Sequence, residues 1–234
     1  MINQIIFYWQ GKDTSIPLIL IKSIRIIFRK IKIIQISDPL TPQLNDVDEI
    51  IIIKTEGKLM TDRLKGYAKV KTLNRNSLFI DADTIILNNF DMSVFKKGIY
   101  LYQRTTNPMI NHLYPQYYPE FEGKYFNDLM PFLAGVILIA NYRNFFEDLF
   151  NLIIKEPIRL QKWYGDQIVL FKYYKINNKD FYIFNLDFLY VLEFDGKNTN
   201  INLNLKKENK LLTFKGSSKK LIKPIFDLLT KKIK

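Results

Sequence analysis

The chain has 234 residues, 47% apolar and 15% aromatic, which supplies a core without covalent staples and is too apolar for a disordered chain. It has no cysteine and a single histidine, His112, which excludes disulfides, thiolate metal sites and cysteine nucleophiles and argues against a zinc site or a His-based triad. The net charge is +12, and ten lysines against Glu208 and Asp227 concentrate the excess between Lys206 and Lys234, as suits an acidic membrane surface, a polyphosphate or a nucleic acid. Abundant Ile, Lys and Asn are also what an AT-rich genome produces, so part of this basicity carries no functional meaning.

In chain order, Gln4–Trp9 reads as a strand ending at a Gln10-Gly11 turn. Ser15 as N-cap and Pro17 in the first turn open a helix to about Phe28. Lys32–Ser37 is a second strand, stopped by Asp38-Pro39. Glu49–Ile53, nearly all isoleucine, reads as a strand covered on both faces. Glu56–Leu73 has helical periodicity, and Ser77–Ile80 is a fourth strand running into Asp81-Ala82-Asp83. This alternation predicts an α/β fold with a mostly parallel sheet. Further on, Ile99–Gln103 and Phe132–Ala140 read as strands and Tyr142–Ile154 and Asp166–Tyr174 as helices. Between them, Arg104–Asp128 reads as a long binding loop carrying Tyr114, Tyr117, Tyr118 and Tyr125. Phe181–Leu186 and Leu211–Phe214 are short strands. Lys219–Ile233 is a terminal helix interrupted at Pro224.

Met1–Gln10 lacks the pattern of a signal peptide, and charges at Lys22, Arg25, Arg29, Lys30 and Lys32 break the apolar stretch Ile16–Ile36. The expectation is a cytoplasmic protein.

Three local patterns carry chemistry. Leu78-Phe79-Ile80-Asp81-Ala82-Asp83-Thr84 places two carboxylates at the carboxyl end of a buried strand, the edge where open α/β sheets bind ligands. Neighbouring carboxylates repel, and burying them is costly unless a cation compensates. Mg²⁺ or Mn²⁺, which take oxygen ligands and bridge to phosphates, would do so. Trp163-Tyr164-Gly165-Asp166-Gln167 places Asp166 and Gln167 at a helix N-terminus, where the dipole favours an acceptor. Leu211–Lys220 ends a strand in Gly216-Ser217-Ser218 flanked by lysines, a cradle for phosphate that lacks P-loop spacing. The structural alternatives are a solvated turn, an ordinary N-cap and a basic surface turn.

The order of these motifs resembles that of retaining glycosyltransferases of the GT-A fold, the Rossmann-like nucleotide-diphospho-sugar transferases, from about Ile5 to Lys220. Family 8 is the nearest pattern, while Tyr8-Trp9-Gln10-Gly11 and Thr61-Asp62-Arg63 resemble family 32 and capsule-synthesis relatives. With no repeats and no low-complexity linker, the chain reads as one such domain over 1–220, and lysines alternating with apolar residues make 221–234 a basic amphipathic helix. The resemblance implies that Asp81 and Asp83 hold a divalent ion, Mn²⁺ or Mg²⁺, on the donor diphosphate. Tyr8, Trp9 and Gln10 would line the nucleotide pocket, and Arg63, with Asp62 beside it, would lie near the diphosphate and donor sugar. Ala134 and Gly135 match the Asn-Ala-Gly-Val strand, and Asp166 and Gln167 match the pair beside the reacting carbon. Gly216 and Lys219 match His-x-x-Gly-x-x-Lys-Pro, with Lys219 on phosphate.

Three departures stand out: Thr213 where the family has a metal-binding His, Leu133 for Asn, and Lys220 for Pro. His112 is read as a packing or acceptor-loop residue. The implied activity is transfer from a nucleotide sugar, of UDP type, to a hydroxyl of a glycan or lipid-linked glycan, with retention, in surface polysaccharide synthesis.

Two other readings remain open. A haloacid-dehalogenase-type phosphatase also begins with Asp-x-Asp-x-Thr, as in Asp81–Ile85, but that motif normally opens its domain. Its later Gly-Asp-x-x-x-Asp is broken here by Leu170. A basic module on nucleic acid or membrane would use the lysine-rich tail, although no RNA-binding signature is present and nucleic acid is not an expected partner. As an accessory property, Lys219–Lys234 could lie on the inner face of an acidic membrane or pack its apolar side on the domain.

Overall fold

The computed structural model describes residues 2–107, 109, 121–193 and 203–231. From the N-terminus, β1 (Ile2–Tyr8), α1 (Ser15–Ile27), β2 (Lys32–Ser37), β3 (Glu49–Ile52), α2 (Leu59–Tyr67) and β4 (Arg75–Asp81) alternate. There follow β5 (Thr84–Ile86), β6 (Gly98–Gln103), α3 (Phe126–Leu129), β7 (Phe132–Ala140), α4 (Phe145–Ile153), α5 (Ile158–Lys162) and α6 (Gly165–Asn177). The chain continues through β8 (Phe181–Ile183), β9 (Leu189–Glu193), β10 (Leu211–Lys215) and α7 (Ile222–Lys231).

Seven strands form the main sheet in the order β3-β2-β1-β4-β7-β6-β8. All run one way except β7, which is antiparallel to both β4 and β6. The α/β architecture with a mostly parallel sheet is therefore as the alternation predicts. Side chains alternate across the strands, so Ile6 and Phe79 face a layer with Leu64, Tyr67, Leu149 and Val169, from α2, α4 and α6. Ile5, Phe7 and Leu78 face the other way, onto Leu20 and Ile24 of α1 and Leu211 of β10. Burying each such side chain stabilises the fold by ~1.5–3 kcal/mol.

A second, three-stranded sheet, β5-β10-β9, lies against α1 and α7. Sequence patterning missed β5, β9 and the five-residue α5. β5 has three residues and starts directly after Asp83, leaving no room for a period to show.

Several boundaries differ from expectation. β3 is an edge strand with Glu49 and Ile52 exposed, so its isoleucine run does not mark a doubly covered strand. Ser15 is the first residue of α1, after Thr14. α2 is half the expected length. Pro224 falls in the first turn of α7, where its missing N–H removes no helical bond, so it opens the helix rather than interrupting it. Ile222 and Ile225 of α7 are buried with Ile19, Ile85, Leu212 and Phe214, so the apolar side of this helix packs on the domain. Among the described residues, no helix is long and apolar enough to cross a membrane. His112, Tyr114, Tyr117 and Tyr118 lie outside the described residues.

Candidate functional site

β1 and β4 end side by side, with Tyr8 opposite Asp81 in register. Burial of both strands fixes where Asp81 stands. Arg63 Nη1, from α2, donates to Asp81 Oδ1 at 2.7 Å, and Lys215 Nζ, from the end of β10, donates to Oδ2 at 2.8 Å. Burial would raise the Asp81 carboxyl, but the Lys215 and Arg63 cations overcome it and hold the group well below the usual carboxylate range. Burial likewise opposes the charge on Lys215, and Asp81 and Asp83 reverse this and raise it above the ordinary lysine value.

Lys219 Nζ lies 2.7 Å from Asp83 Oδ2. The other oxygen, Asp83 Oδ1, is buried and has no hydrogen-bond partner among the described residues. β10 is tied to this turn by the Phe214 N–H, which donates to the Asp83 carbonyl at 3.1 Å.

Arg63 also pairs, through Nη2, with Asp166 Oδ2 in the first turn of α6. Asp166 is 1% exposed, and its Oδ1 accepts the Gln167 N–H at 2.9 Å. Backbone geometry forces this corner: Tyr164 has φ +63°, a rare conformation for a bulky residue. A Cβ on Gly165 would sit 2.2 Å from the Leu160 carbonyl oxygen. The Gln167 side chain accepts from Arg104, which also donates to the Met130 carbonyl at 2.8 Å and lies over the Phe126 ring.

Gly135 is required for a different reason. An added Cβ there would stand 2.2 Å from Asp81 Oδ2. The β6–β7 register jumps here, from Leu101↔Ile137 to Tyr102↔Leu133, and the resulting irregularity sets Ala134-Gly135-Val136 outside the β6 ladder. Ala134 is buried in the core beside it.

The nucleotide-pocket candidates lie at the ends of β1 and β2. The Tyr8 hydroxyl donates to Gln10 Oε1 at 3.2 Å, and Gln10 Nε2 donates to Asp38 Oδ2 at 3.1 Å. Burial, with Asp62 and Asp38 nearby, raises the Tyr8 hydroxyl, so it stays a neutral donor. The Trp9 backbone N–H donates to the Ile36 carbonyl at 2.9 Å, while its buried indole Nε1 has no partner among the described residues.

Asp62 is fully buried, and its carboxylate accepts the backbone N–H groups of Glu56 and Lys58 at 3.0–3.1 Å. It holds the entry to α2, and through it Arg63.

Thus Asp81, Asp83, Arg63, Gly135, Asp166 and Lys219 come together, with Gln167 adjacent. Sequence reasoning missed Lys215. The signal was there: in a strand ending Leu211-Leu212-Thr213-Phe214-Lys215, Thr213 and Lys215 share a face. Thr213 is buried, paired in register with Thr84, and the Thr84 hydroxyl donates to its Oγ1 at 3.4 Å. Gly216, at φ +57°, turns the chain after Lys215. The Ser218 hydroxyl pins that turn by donating to the Lys215 carbonyl at 2.7 Å.

The acidic pair was tested for fit to a divalent ion. Among the described residues, no cluster of three His, Cys, Asp or Glu side chains stands ready to hold a metal. The unpartnered Asp83 oxygen and the adjacent Asp81 are nevertheless the hard oxygen donors that Mg²⁺ or Mn²⁺ takes when phosphate and water complete its shell. The residues fit an ion carried on a phosphate ligand.

No protein-family model matches the chain. No curated protein matches it by sequence. Its structure resembles the crystal structure of the galactosyltransferase LgtC in complex with donor and acceptor sugar analogues, at TM-score 0.56 and 12% identity, over 97% of this chain and 96% of that one. An active-site mutant of LgtC gives TM-score 0.59 at 12% identity, over 98% and 95% of the two chains. A glycosyltransferase involved in the glycosylation of the major capsid of PBCV-1 gives 0.59 at 11% identity, over 97% and 100%. The fold is that of these glycosyltransferases.

Proposed function

We propose that the protein is a glycosyltransferase that moves a sugar from a nucleotide-sugar donor, of UDP type, to an acceptor hydroxyl. One observation carries the reading: Arg63 bridges Asp81 of the Asp-x-Asp turn and Asp166 of Gly-Asp-Gln, joining two motifs 85 residues apart in one buried cluster. A solvated turn and an ordinary N-cap would have no reason to meet.

In the reaction, the bond from the anomeric carbon to the diphosphate oxygen breaks and a bond to the acceptor oxygen forms. The nucleoside diphosphate departs with the bonding electrons, and the acceptor proton passes to its freed oxygen. Lys219 and Lys215 stand where charge develops on that leaving group. A divalent ion held by Asp81 and Asp83 would add Lewis-acid stabilisation. Asp166, oriented by Arg63, and Gln167, oriented by Arg104, face the donor sugar and stabilise positive character at the anomeric carbon. Tyr8, Trp9 and Gln10 line the nucleotide pocket, Asp62 positions Arg63, and Gly135 gives Asp81 its space, with Ala134 packed in the core beside it. Gly216 sets the lysine turn.

Retention of configuration and a glycan or lipid-linked acceptor in surface polysaccharide synthesis complete the proposal. Attachment to an acidic inner membrane face would rest on the exposed Lys220, Lys223 and Lys231, since α7 turns its apolar side inward. In domain terms, we assign 1–220 to the transferase unit and 221–234 to a basic extension that contains α7.

The test is a thermal-shift panel of nucleoside diphosphates and nucleotide sugars, with and without Mn²⁺, followed by sugar-nucleotide turnover. Stabilisation by one nucleotide class in the presence of metal is expected, because a ligand that binds only the native state raises apparent stability. No stabilisation by any nucleotide would sink the proposal.

A further inference from the structure

Three of the four oxygens of the acidic pair are already engaged. Arg63 holds Asp81 Oδ1, Lys215 holds Asp81 Oδ2 and Lys219 holds Asp83 Oδ2, and among the described residues Asp83 Oδ1 has no partner. Asp81, Asp83 and Asp166 face Arg63, Lys215 and Lys219, so the cluster is formally neutral. A divalent ion arriving alone meets one open carboxylate oxygen and makes the cluster a dication. A diphosphate arriving alone leaves it strongly negative. An ion–diphosphate pair keeps it close to neutral, and in a partly buried site that difference is large.

The cations differ in exposure. Arg63 is bound at both ends, to Asp81 and Asp166, and its side chain is 13% exposed. The Lys215 side chain is 29% exposed and that of Lys219 is 47% exposed. Lys215 ends β10 and Lys219 lies in the turn after it, which Ser218 pins, and each carries its ammonium group on a flexible four-carbon stem. Phosphate oxygens offer an ammonium group what the carboxylates offer it, so both lysines have somewhere to go once a diphosphate is present.

We propose that Lys215 is a built-in counter-ion of the acidic pair that leaves Asp81 for the diphosphate, so that a divalent ion and a nucleoside diphosphate enter this site only together. The proposal rests on the nucleotide-sugar reading above and adds to it a residue and an order of events. Lys215 keeps Asp81 Oδ2 engaged and closed to stray metal until a ligand arrives, and the incoming phosphate opens it. Linkage makes the effect mutual: nucleotide raises affinity for the ion by the factor by which the ion raises affinity for nucleotide.

The experiment measures Mn²⁺ affinity by electron paramagnetic resonance and calorimetry, alone and with saturating UDP, GDP, ADP or CDP, after correction for metal–nucleotide complexes in solution. The wild type should bind Mn²⁺ alone weakly, and the cognate diphosphate should tighten it by about 30-fold or more, within the usual range of coupling. Lys215→Met should bind Mn²⁺ without nucleotide about 10-fold more tightly than wild type, as expected from removing a competing charge. Its coupling should fall to about 3-fold or less, while Lys215→Arg retains most of it. Lys215→Gln replaces the Met variant if circular dichroism shows that one unfolded. Equal Mn²⁺ affinity with and without nucleotide in the wild type, or undiminished coupling in folded Lys215→Met, overturns the proposal. Failure of every diphosphate to bind with Mn²⁺ would overturn the nucleotide-sugar reading itself, whereas nucleotide binding with coupling indifferent to Lys215 removes this inference alone.

Discussion

β4 and β10 end at the same site but hold their residues by different means. β4 lies between β1 and β7 in the main sheet, buried along its length apart from its two ends, and presents Asp81 from a rigid ladder. β10 belongs to the small sheet and ends at Lys215, and the chain then turns through a left-handed glycine to Lys219, both lysines on partly exposed stems. The anionic side of the site is set in a buried ladder, and its β10 cations are the more exposed. In the proposal above, that division lets a neutral, self-paired cluster open for an anionic ligand without rearranging the sheet.

Breaking the rigid side should have the largest effect. Arg63→Met leaves Asp81 and the buried Asp166 without their shared guanidinium. Removing one partner of a buried ion pair costs ~3–5 kcal/mol. In a chain of this length that lowers Tm by about 10 °C, read by calorimetry. Transferase turnover should vanish with it, and a Tm within about 3 °C of wild type would mean that Arg63 is not a structural bridge.

Gly135→Ala probes the same side more gently. The added methyl group meets Asp81 Oδ2 at 2.2 Å and must push the carboxylate away from Lys215. Overpacking of this kind costs ~1–3 kcal/mol. The sharper readout is nucleotide-induced stabilisation, which should be lost although the protein folds. Full retention would show that the Asp81 position is not critical.

Lys219→Met tests the more exposed side and should change stability least, by ~1 kcal/mol, because the half-exposed ammonium group can be replaced by water beside the buried Asp83 carboxylate. Its effect belongs in binding: KM for the sugar nucleotide should rise about 10-fold, the loss of one charge-assisted phosphate contact. A large fall in Tm with unchanged KM would assign β10 a structural role and erase the contrast between the two strands.

Much of the fold was legible because burial and periodicity are local signals. Lys32–Ser37 and Phe132–Ala140 coincide with β2 and β7, and Asp81 and Asp83 stand at the strand end where they were expected. The same rule misled at β3, whose isoleucines sit on a sheet edge. Composition cannot tell a central strand from an edge strand, since neighbours in the sheet are not neighbours in sequence. β9 was missed because its partner is β10, and the pairing joins residues some twenty positions apart.

By itself, the sequence determined the strand–helix alternation, the acidic pair, the Gly-Asp-Gln corner and the basic turn, each encoded within a few residues. Only the tertiary structure decided which of them touch. It placed Arg63 between Asp81 and Asp166, tied Asp62 to the start of α2, set Gly135 against the Asp81 carboxylate and brought Lys215 onto it. Those contacts depend on strand order, on a register jump in β7 and on the turn after β10. Such features come from long-range packing of the sheet, which no local run of residues specifies.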